Sequence, residues 1–251
     1  MNTTTTPRRP GAPPTGPTYQ TVADELEAHI ASLEPGSRLP SEHDLVASHG
    51  VSRLTARAAL QELESRLLVR RVRGAGTFVA SRIDYPIGPS MPPSASEMVR
   101  RAGALPTSQL VAVRVRKPDP ASRRALELEA DDRVVAVTRV GQVDGLPAWF
   151  GTSRLPLDLV DGISSHLGDG VSIYQTLRTH FELEPVRLWA RAELVAVPAE
   201  VAPHLGVEGR PLVWRLESCN GARGLSRPIE LSESWLRADT YRVRFELGGA
   251  D

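Results

Sequence analysis

Residues 71–78, RVRGAGTF, place two glycines among arginines, and this combination suits the binding of phosphate groups. The loop could hold a nucleotide phosphate at the start of a helix, or it could present arginines to a larger anion. A nucleotide loop requires a helix after the glycines and either a third glycine at position 79 or a Gly-Lys-Ser/Thr ending, and the sequence has neither. The β-branched and aromatic residues that follow predict a strand, so Gly74 and Gly76 are expected to form the tight turn of a hairpin.

A second group of residues with binding chemistry lies before this hairpin. Ser52, Arg53, Thr55 and Arg57 open a segment with helical periodicity, and the two arginines are four residues apart on one face. The N-terminal turn of such a helix can enter the major groove of DNA, where arginine bonds guanine edges and hydroxyl groups contact phosphates. Residues 38–82 carry eight arginines against four acidic residues, although the whole chain has a formal net charge of zero. This local excess favours a polyanionic partner.

The elements that would position these residues can be predicted from periodicity and capping. Apolar residues recur at helical spacing from residue 19 onward, which predicts a first amphipathic helix. Ser41 and Asp44 are spaced as in a capping box, so they predict the start of a short second helix. Ser52 is the expected N-cap of a third helix. Three helices followed by a two-stranded hairpin predict a winged helix-turn-helix at 18–80.

The segment LPSEHDLVASHGVSRLTARAALQELESRLLVRRVRGAGTFVA, at 39–80, resembles the DNA-binding domain of the GntR family of bacterial transcription regulators. The similarity extends over 19–80, and it implies DNA contacts from the third helix, called the recognition helix, and from the hairpin, called the wing. His43 stands where the family often has a basic residue, so that contact is expected to be weaker or dependent on pH. The candidate DNA-binding residues are Ser41, His43, Ser52, Arg53, Thr55, Arg57, Arg71, Arg73, Gly74 and Gly76.

The remainder of the chain divides at its proline-rich stretches. Residues 1–17 contain no large aliphatic side chain after the initiator methionine and predict a disordered tail. Residues 81–93 hold four prolines and are the expected linker. In 94–251, alternating patterns predict strands separated by helical segments, which indicates an α+β domain on an antiparallel sheet. The predicted strands are 109–116, 133–140, 186–197, 210–218 and 240–247, and the predicted helical segments include 119–128 and 172–181.

A weak internal similarity relates two parts of this C-terminal region. LELEADDRVVAVTR at 126–139 and LGVEGRPLVWR at 205–215 each lead from a Leu-x-apolar-Glu turn into a strand that ends in arginine. Each is followed by a turn and a proline. The similarity predicts a sheet built from two similar halves.

Four motifs in 94–251 resemble the UTRA effector-binding domain of the histidine-utilisation-repressor subfamily. They are SASEMVRRAG at 94–103, DGLP at 144–147, SIYQTL at 172–177 and RPIELSESWLRAD at 227–239. The resemblance implies a chorismate-lyase-like fold and a small anionic effector, such as a sugar phosphate, a phosphonate or a carboxylate. RIDYPIG at 82–88 also resembles the linker of regulators of phosphonate metabolism. The candidate effector-binding residues implied by the resemblance are Ser94, Arg139, Ser172, Tyr174 and Glu230.

Three positions depart from the UTRA pattern. Gly141 stands where the family has a second arginine, Gly151 where an acidic residue is frequent, and Leu236 where an aromatic residue is frequent. Loss of one of two cations removes about 1.5 to 3 kcal/mol of charged hydrogen bonding, which weakens the case for a doubly charged phosphate ester. An alternative for Arg139 and Glu230 is a structural ion pair between two strands.

The leading hypothesis is a homodimeric transcription regulator, a repressor, that binds double-stranded operator DNA and releases it when an effector binds the C-terminal domain. The competing enzyme hypothesis is a lyase on the same fold. No nucleophile with a base and no metal-ligand group stands out, so we expect no catalytic residue, no metal and no cofactor. A third hypothesis is a nucleoid-type binder without an effector. The single cysteine and the lack of a long apolar segment predict a cytoplasmic, nucleoid-associated protein without a membrane span.

Overall fold

The computed structural model describes residues 17–72, 74–88 and 95–246. Residues 1–16 of the predicted tail at 1–17, residues 89–93 of the predicted linker, and the candidate site residues Arg73 and Ser94 lie outside the described residues. The chain divides into two units between Ser81 and Arg82. Each unit has its own hydrophobic core.

The first unit has the predicted three helices and hairpin. Their apolar faces meet in one core, in which Val22, Leu45 and Leu63 are fully buried. Burial of each of these side chains contributes about 1.5 to 3 kcal/mol. Residues 37–39 also run beside the hairpin, where the Leu39 amide donates to the Thr77 carbonyl at 2.8 Å. The elements are α1 Tyr19–Ile30, α2 Glu42–His49, α3 Arg53–Ser65, β1 Val69–Val72 and β2 Gly76–Val79.

Side-chain caps fix where α2 and α3 begin. The Ser41 hydroxyl accepts from the Asp44 amide at 3.2 Å, and the Asp44 carboxylate accepts from the Ser41 amide at 2.9 Å, which completes the predicted capping box. The Ser52 hydroxyl accepts from the Thr55 amide at 3.1 Å and caps α3 in the same manner. Gly50, with a φ of 65°, ends α2 in the left-handed conformation that favours glycine. Gly50 and Ser52 thus bound the short turn between the two helices.

Replacing Ser52 by alanine is expected to lower the free energy of unfolding by about 1 kcal/mol, because an α3 amide loses its side-chain acceptor. Ser52→Gly is the matched control, since glycine at an N-cap costs only about a few tenths of a kcal/mol. Urea unfolding of both variants checks this. Equal stability of the alanine variant and the wild type would show that the cap contributes nothing.

The second unit is built on a six-stranded antiparallel sheet. The elements of this unit are β3 Ile83–Ile87, α4 Ala95–Arg101, β4 Pro106–Arg116, α5 Pro120–Ala125, β5 Val134–Val143, β6 Leu146–Pro156, α6 Ile173–Phe181, β7 Pro185–Ala196, β8 Leu212–Ala222, β9 Pro228–Arg237 and β10 Tyr241–Phe245. Within the described residues, the strands of the sheet lie in the order β4-β5-β6-β9-β8-β7. Strands β4, β5 and β6 form one half, β7, β8 and β9 form the other, and β6 pairs with β9 where the halves meet. This arrangement agrees with the predicted sheet of two similar halves, and the predicted α+β class is confirmed.

The segment that we expected to be a linker contains a strand. Strand β3 pairs in parallel with β10, with Tyr241 opposite Ile83 and Arg244 opposite Pro86. A proline is compatible with this two-stranded sheet because it removes only one donor, but it made the segment look irregular in the sequence. The start of the second unit is therefore a structured part of that unit, beginning immediately after Ser81.

One face of the six-stranded sheet carries two of the candidate effector-binding side chains, Arg139 and Glu230. Arg139 on β5 lies opposite Gly151 on β6, and Gly151 lies opposite Ser234 on β9. Glu230 precedes Ser234 by four residues on β9, so both point to the same face. The sheet therefore brings together residues that are far apart in the chain.

Candidate functional sites

Two arginines of the first unit are held by one carboxylate. Arg57 of α3 donates from Nε and Nη2 to the two oxygens of Glu42, both at 3.0 Å, and Arg71 of β1 donates to the same carboxylate at 3.0 Å. The hydrogen bond from Arg57, opposed by partial burial, lowers the pKa of Glu42 below its ordinary value. Glu42 thus fixes the positions of two cations from α3 and the wing while leaving Arg57 about half exposed.

Replacing Glu42 by glutamine is expected to lower the free energy of unfolding at pH 7 by about 1 kcal/mol, because a bidentate ion pair is lost. The folded-state pKa is lowered, so this stabilisation is present above about pH 4.5 and is lost as the pH falls through the folded-state pKa. Urea unfolding at pH 7 and pH 3.5 measures the effect, with Glu34→Gln as the control at an exposed acid. A difference of equal size at both pH values would contradict the assignment.

The other candidate residues of α3 differ in whether their side chains already make hydrogen bonds or ion pairs within the protein. Arg53 is exposed and takes part in no ion pair recorded within the described residues. The hydroxyl groups of Ser52 and Thr55 lie 2.9 Å apart in the N-cap, so their first role is structural. The first turn also exposes 77% of Leu54, which the sequence analysis missed. An apolar side chain there is suited to contact a thymine methyl group. The position of Leu54 in the first turn of the helix could have indicated this role from the sequence.

The glycines of the wing have the backbone conformation expected of a tight turn. Gly74 has a φ of 77° and Gly76 a φ of 123°, both in the region that favours glycine. A side chain on Gly76 would also crowd the Arg38 guanidinium, whose Nε would lie 3.1 Å from the added carbon. His43 and Ser41 lie at the exposed N-terminal end of α2. The hairpin therefore fits the predicted wing, while Arg73 lies outside the described residues.

Four of the five candidate effector-binding residues line one pocket of the second unit. Arg139, Ser172, Tyr174 and Glu230 surround about 800 Å³ of empty space, including the part that is open to solvent. Ser172 caps α6, its hydroxyl accepting from the Gln175 amide at 3.4 Å, so this helix N-terminus meets the pocket. The fifth candidate, Ser94, lies outside the described residues.

Arg139 is a buried cation that faces this pocket. Only 8% of the residue is exposed, and its Nη2 donates to Ser108 Oγ at 2.9 Å and to the Val171 carbonyl at 2.6 Å. Burial lowers the pKa of its guanidinium, although the charge of Glu230 acts in the opposite direction. Within the described residues, no carboxylate lies within ion-pair distance of Arg139, so the alternative of a structural ion pair with Glu230 is not what the structure shows. Both hydrogen-bond acceptors are neutral oxygens, so the charge has no carboxylate in direct contact and is only partly balanced by Glu230 at a longer distance.

Glu230, a second residue that lines the pocket, is held by a network of polar side chains. Asn220 Nδ2 donates to Glu230 Oε2 at 2.6 Å and to the Tyr174 hydroxyl at 3.0 Å. Burial raises the pKa of Glu230, while hydrogen bonds from Ser153, Asn220 and Tyr174 and the charge of Arg187 lower it in part. Burial and the neighbouring carboxylate raise the pKa of Tyr174 well above its ordinary value, so its hydroxyl remains protonated. Tyr174 is therefore part of the polar network and not only of the core.

Two further residues of this network were missed in the sequence. Asn220 belongs to β8, and it lies opposite Arg187 on β7 and Glu230 on β9. Arg187 donates to the Pro86 carbonyl at 3.0 Å and lies over the Tyr85 ring at 5.9 Å, so it ties the sheet to β3. No local pattern indicates either residue, because their roles depend on strand pairing.

The departures at positions 141 and 151 have a steric explanation. An added Cβ on Gly141 would overlap the indole of Trp149, and one on Gly151 would lie 2.6 Å from Ser234 Oγ. A side chain fits at neither position without movement of its neighbour. The pocket therefore has the family-like arginine at 139 but no room for a second one at 141.

Two family descriptions match the chain over the two units described above. Residues 18–79 match "Bacterial regulatory proteins, gntR family", and residues 101–242 match "UTRA domain". The chain belongs to the gntR family of bacterial regulatory proteins. The resemblance found in the sequence is thereby confirmed for both parts of the protein.

This gntR-family regulator is similar to curated regulators along most of its length. It is 30% identical over 227 residues to the HTH-type transcriptional regulator GgaR of Escherichia coli strain K12, a match that covers 90% of this chain and 89% of GgaR. The HTH-type transcriptional repressor NagR of Bacillus subtilis strain 168 is 27% identical over 230 residues, which cover 90% of this chain and 92% of NagR. The crystal structure of PhnF from Mycobacterium smegmatis has a TM-score of 0.65 at 24% identity, covering 91% of this chain and all of that one. The likeness to PhnF concerns the fold.

The family assignment selects among the functional hypotheses. The gntR-family regulator is a transcription regulator, not an enzyme, because its family and its relatives have that function. The N-terminal match implies DNA binding, and the UTRA match implies that a small molecule binds the C-terminal unit. Within the described part of the chain, no helix is both long enough and apolar enough to cross a membrane.

Proposed function

We propose that this protein is a homodimeric repressor whose affinity for operator DNA is lowered by a small anionic metabolite bound in the pocket of Arg139. The observation that carries the proposal is the buried Arg139 guanidinium, which faces an open pocket and has no recorded carboxylate partner within the described residues. A buried charge without a partner is costly, and an anionic ligand would supply the missing partner through charge-assisted hydrogen bonds.

A repressor role is supported by the names of two relatives. NagR is a transcriptional repressor by name. The Mannosyl-D-glycerate transport/metabolism system repressor MngR of Escherichia coli strain K12 is 31% identical over 146 residues, covering 57% of this chain and 60% of MngR. A helix-turn-helix dimer reads two half-sites that are related by its two-fold axis and separated by about one helical turn of DNA. We therefore expect a palindromic operator upstream of the regulated genes.

The route from the pocket to the DNA-binding unit follows the chain itself. Tyr85 lines the pocket and belongs to β3, which starts two residues after Ser81, the last residue of the first unit. A ligand that contacts Tyr85 can favour one arrangement of β3 over another. Such a preference changes the relative populations of the conformations of the segment that joins the two units. By thermodynamic linkage, it also changes the affinity of the protein for DNA.

The proposal is tested in two steps with the full-length protein. A thermal-shift screen of carboxylates, phosphate esters and phosphonates identifies the effector class, since a ligand at 100 times its Kd stabilises by about 2.7 kcal/mol. Fluorescence anisotropy on DNA from upstream of the protein's own operon, at fixed salt, then shows whether the same compound releases the DNA. DNA binding that no compound of these three classes changes would support a nucleoid-type binder and overturn the proposal.

A further inference from the structure

The indole of Trp149 occupies the wall of the pocket beside Arg139. Trp149 on β6 lies directly opposite Gly141 on β5, and its Nε1 and Cε2 atoms take the place where a Cβ of residue 141 would be. The Arg139 guanidinium lies 6.0 Å from the centre of the Trp149 ring. The wall therefore offers an aromatic surface next to one cation, and it can do so only because residue 141 has no side chain.

The pocket is lined by few charged side chains, and these are opposite in sign. Among the described lining residues, Arg139 is the one cation and Glu230 the one acid. The sheet between them presents hydroxyl groups, since Ser153 on β6 and Ser232 on β9 lie opposite each other and both line the pocket. A ligand with two negative charges at one end would find a single guanidinium for both, with a carboxylate elsewhere in the same pocket.

We infer that Trp149 is the specificity-determining residue of this pocket and that it selects a ring-bearing polyhydroxy monocarboxylate. The carboxylate pairs with Arg139, for which a guanidinium has matching bidentate geometry. The ring lies against the indole, and the hydroxyl groups face the serines and Glu230. The inference rests on the proposed function, because it names the class of effector that the same pocket takes.

Three small-molecule probes distinguish the contribution of the ligand's ring from that of its charge. D-glucuronate has a pyranose ring and one carboxylate, D-glucose 6-phosphate has the same ring with a dianionic phosphate, and D-gluconate is an open-chain monocarboxylate of equal carbon number. Isothermal titration calorimetry of the full-length wild type is expected to give a Kd for glucuronate at least about tenfold lower than for either of the others.

Substitutions of Trp149 assign the preference to the indole. Trp149→Phe keeps an aromatic wall and should retain the preference for glucuronate over gluconate, whereas Trp149→Ala should reduce that ratio by about tenfold. The double variant Trp149→Ala, Gly141→Arg adds a second cation where the indole was, and it should favour glucose 6-phosphate over glucuronate. Melting temperature and DNA affinity without ligand show whether each variant is folded, and the Phe variant keeps the test informative if the alanine variant is not.

The outcomes separate the inference from the proposed function. Equal or tighter binding of glucose 6-phosphate by the wild type, no saturable binding of glucuronate, or an unchanged ratio of glucuronate to gluconate affinity in Trp149→Ala each overturns the inference. If another anion still releases DNA from the wild type in any of these cases, the proposed function stands. If no anion releases DNA although glucuronate binds as expected, the proposed function fails and the selectivity of Trp149 remains.

Discussion

Replacing Arg53 and Arg57 together by alanine is expected to weaken operator binding about 100-fold or more and to remove most of the discrimination against other sequences. Each bidentate contact between arginine and a base contributes about 1 to 3 kcal/mol. Arg53 is exposed at the first turn of α3, and Arg57 lies one turn later, held by Glu42. Fluorescence anisotropy with operator and scrambled DNA at one salt concentration measures both effects.

The control for this experiment must remove the same charge elsewhere. Arg123 and Arg124 are exposed on α5 of the second unit, and their double alanine variant loses two positive charges without changing α3. It should keep operator affinity close to that of the wild type. Specific binding that survives the Arg53, Arg57 double substitution at fixed salt would show that α3 does not read the operator in this way.

Replacing Arg139 by methionine is expected to raise the Kd of the effector about 100-fold while operator affinity without effector stays unchanged. The charged hydrogen bonds lost with the guanidinium account for about 1.5 to 3 kcal/mol. Stability should change little or rise, because methionine removes a buried cation that has no carboxylate in direct contact within the described residues. Calorimetry gives the ligand affinity, and thermal unfolding gives the stability.

Arg133→Met is the matched control, since Arg133 is exposed and directly precedes β5, the strand that carries Arg139. It should bind effector and DNA as the wild type does. An Arg139 variant that still binds the effector with wild-type affinity would place the anion elsewhere in the protein.

The first unit was the more predictable part of the fold because its signals are local. Ser41 with Asp44, Ser52, and the glycines of the wing each act on backbone within a few residues, so their types and spacing state their role. Local signals do not, however, predict contacts between side chains that are distant in the sequence. The bond from Arg57 to Glu42 spans fifteen positions, and the sequence offered no sign that these two side chains would pair.

Strands β6 and β9 were not recognised in the sequence because the pocket requires small polar residues on them. Gly151, Ser153, Ser232 and Ser234 line the pocket, so the alternation of apolar and polar residues that indicates a strand is interrupted. Strand β3 was missed for a related reason, since its partner β10 lies about 158 positions later in the chain. Long-range pairing of this kind leaves no local pattern.

Within the pocket, the resemblance to the UTRA domain indicated residues whose type alone suggests a role, such as Arg139 and Glu230. The residues that it did not indicate, Asn220, Arg187 and Trp149, act through neighbours on adjacent strands. Trp149 gains its significance only from the register that sets it over Gly141. The sequence shows only a departure from the family pattern at Gly141, where the structure shows the indole of Trp149.

The most direct test of the account compares operator affinity with and without effector in the same protein preparation. Anisotropy at fixed salt, with the effector at 100 times its Kd, should show the wild-type operator Kd rising about tenfold or more, which corresponds to a coupling free energy of about 1.4 kcal/mol. The Arg139→Met variant at the same effector concentration should show no such rise. An operator Kd that is the same with and without saturating effector in the wild type would contradict the account.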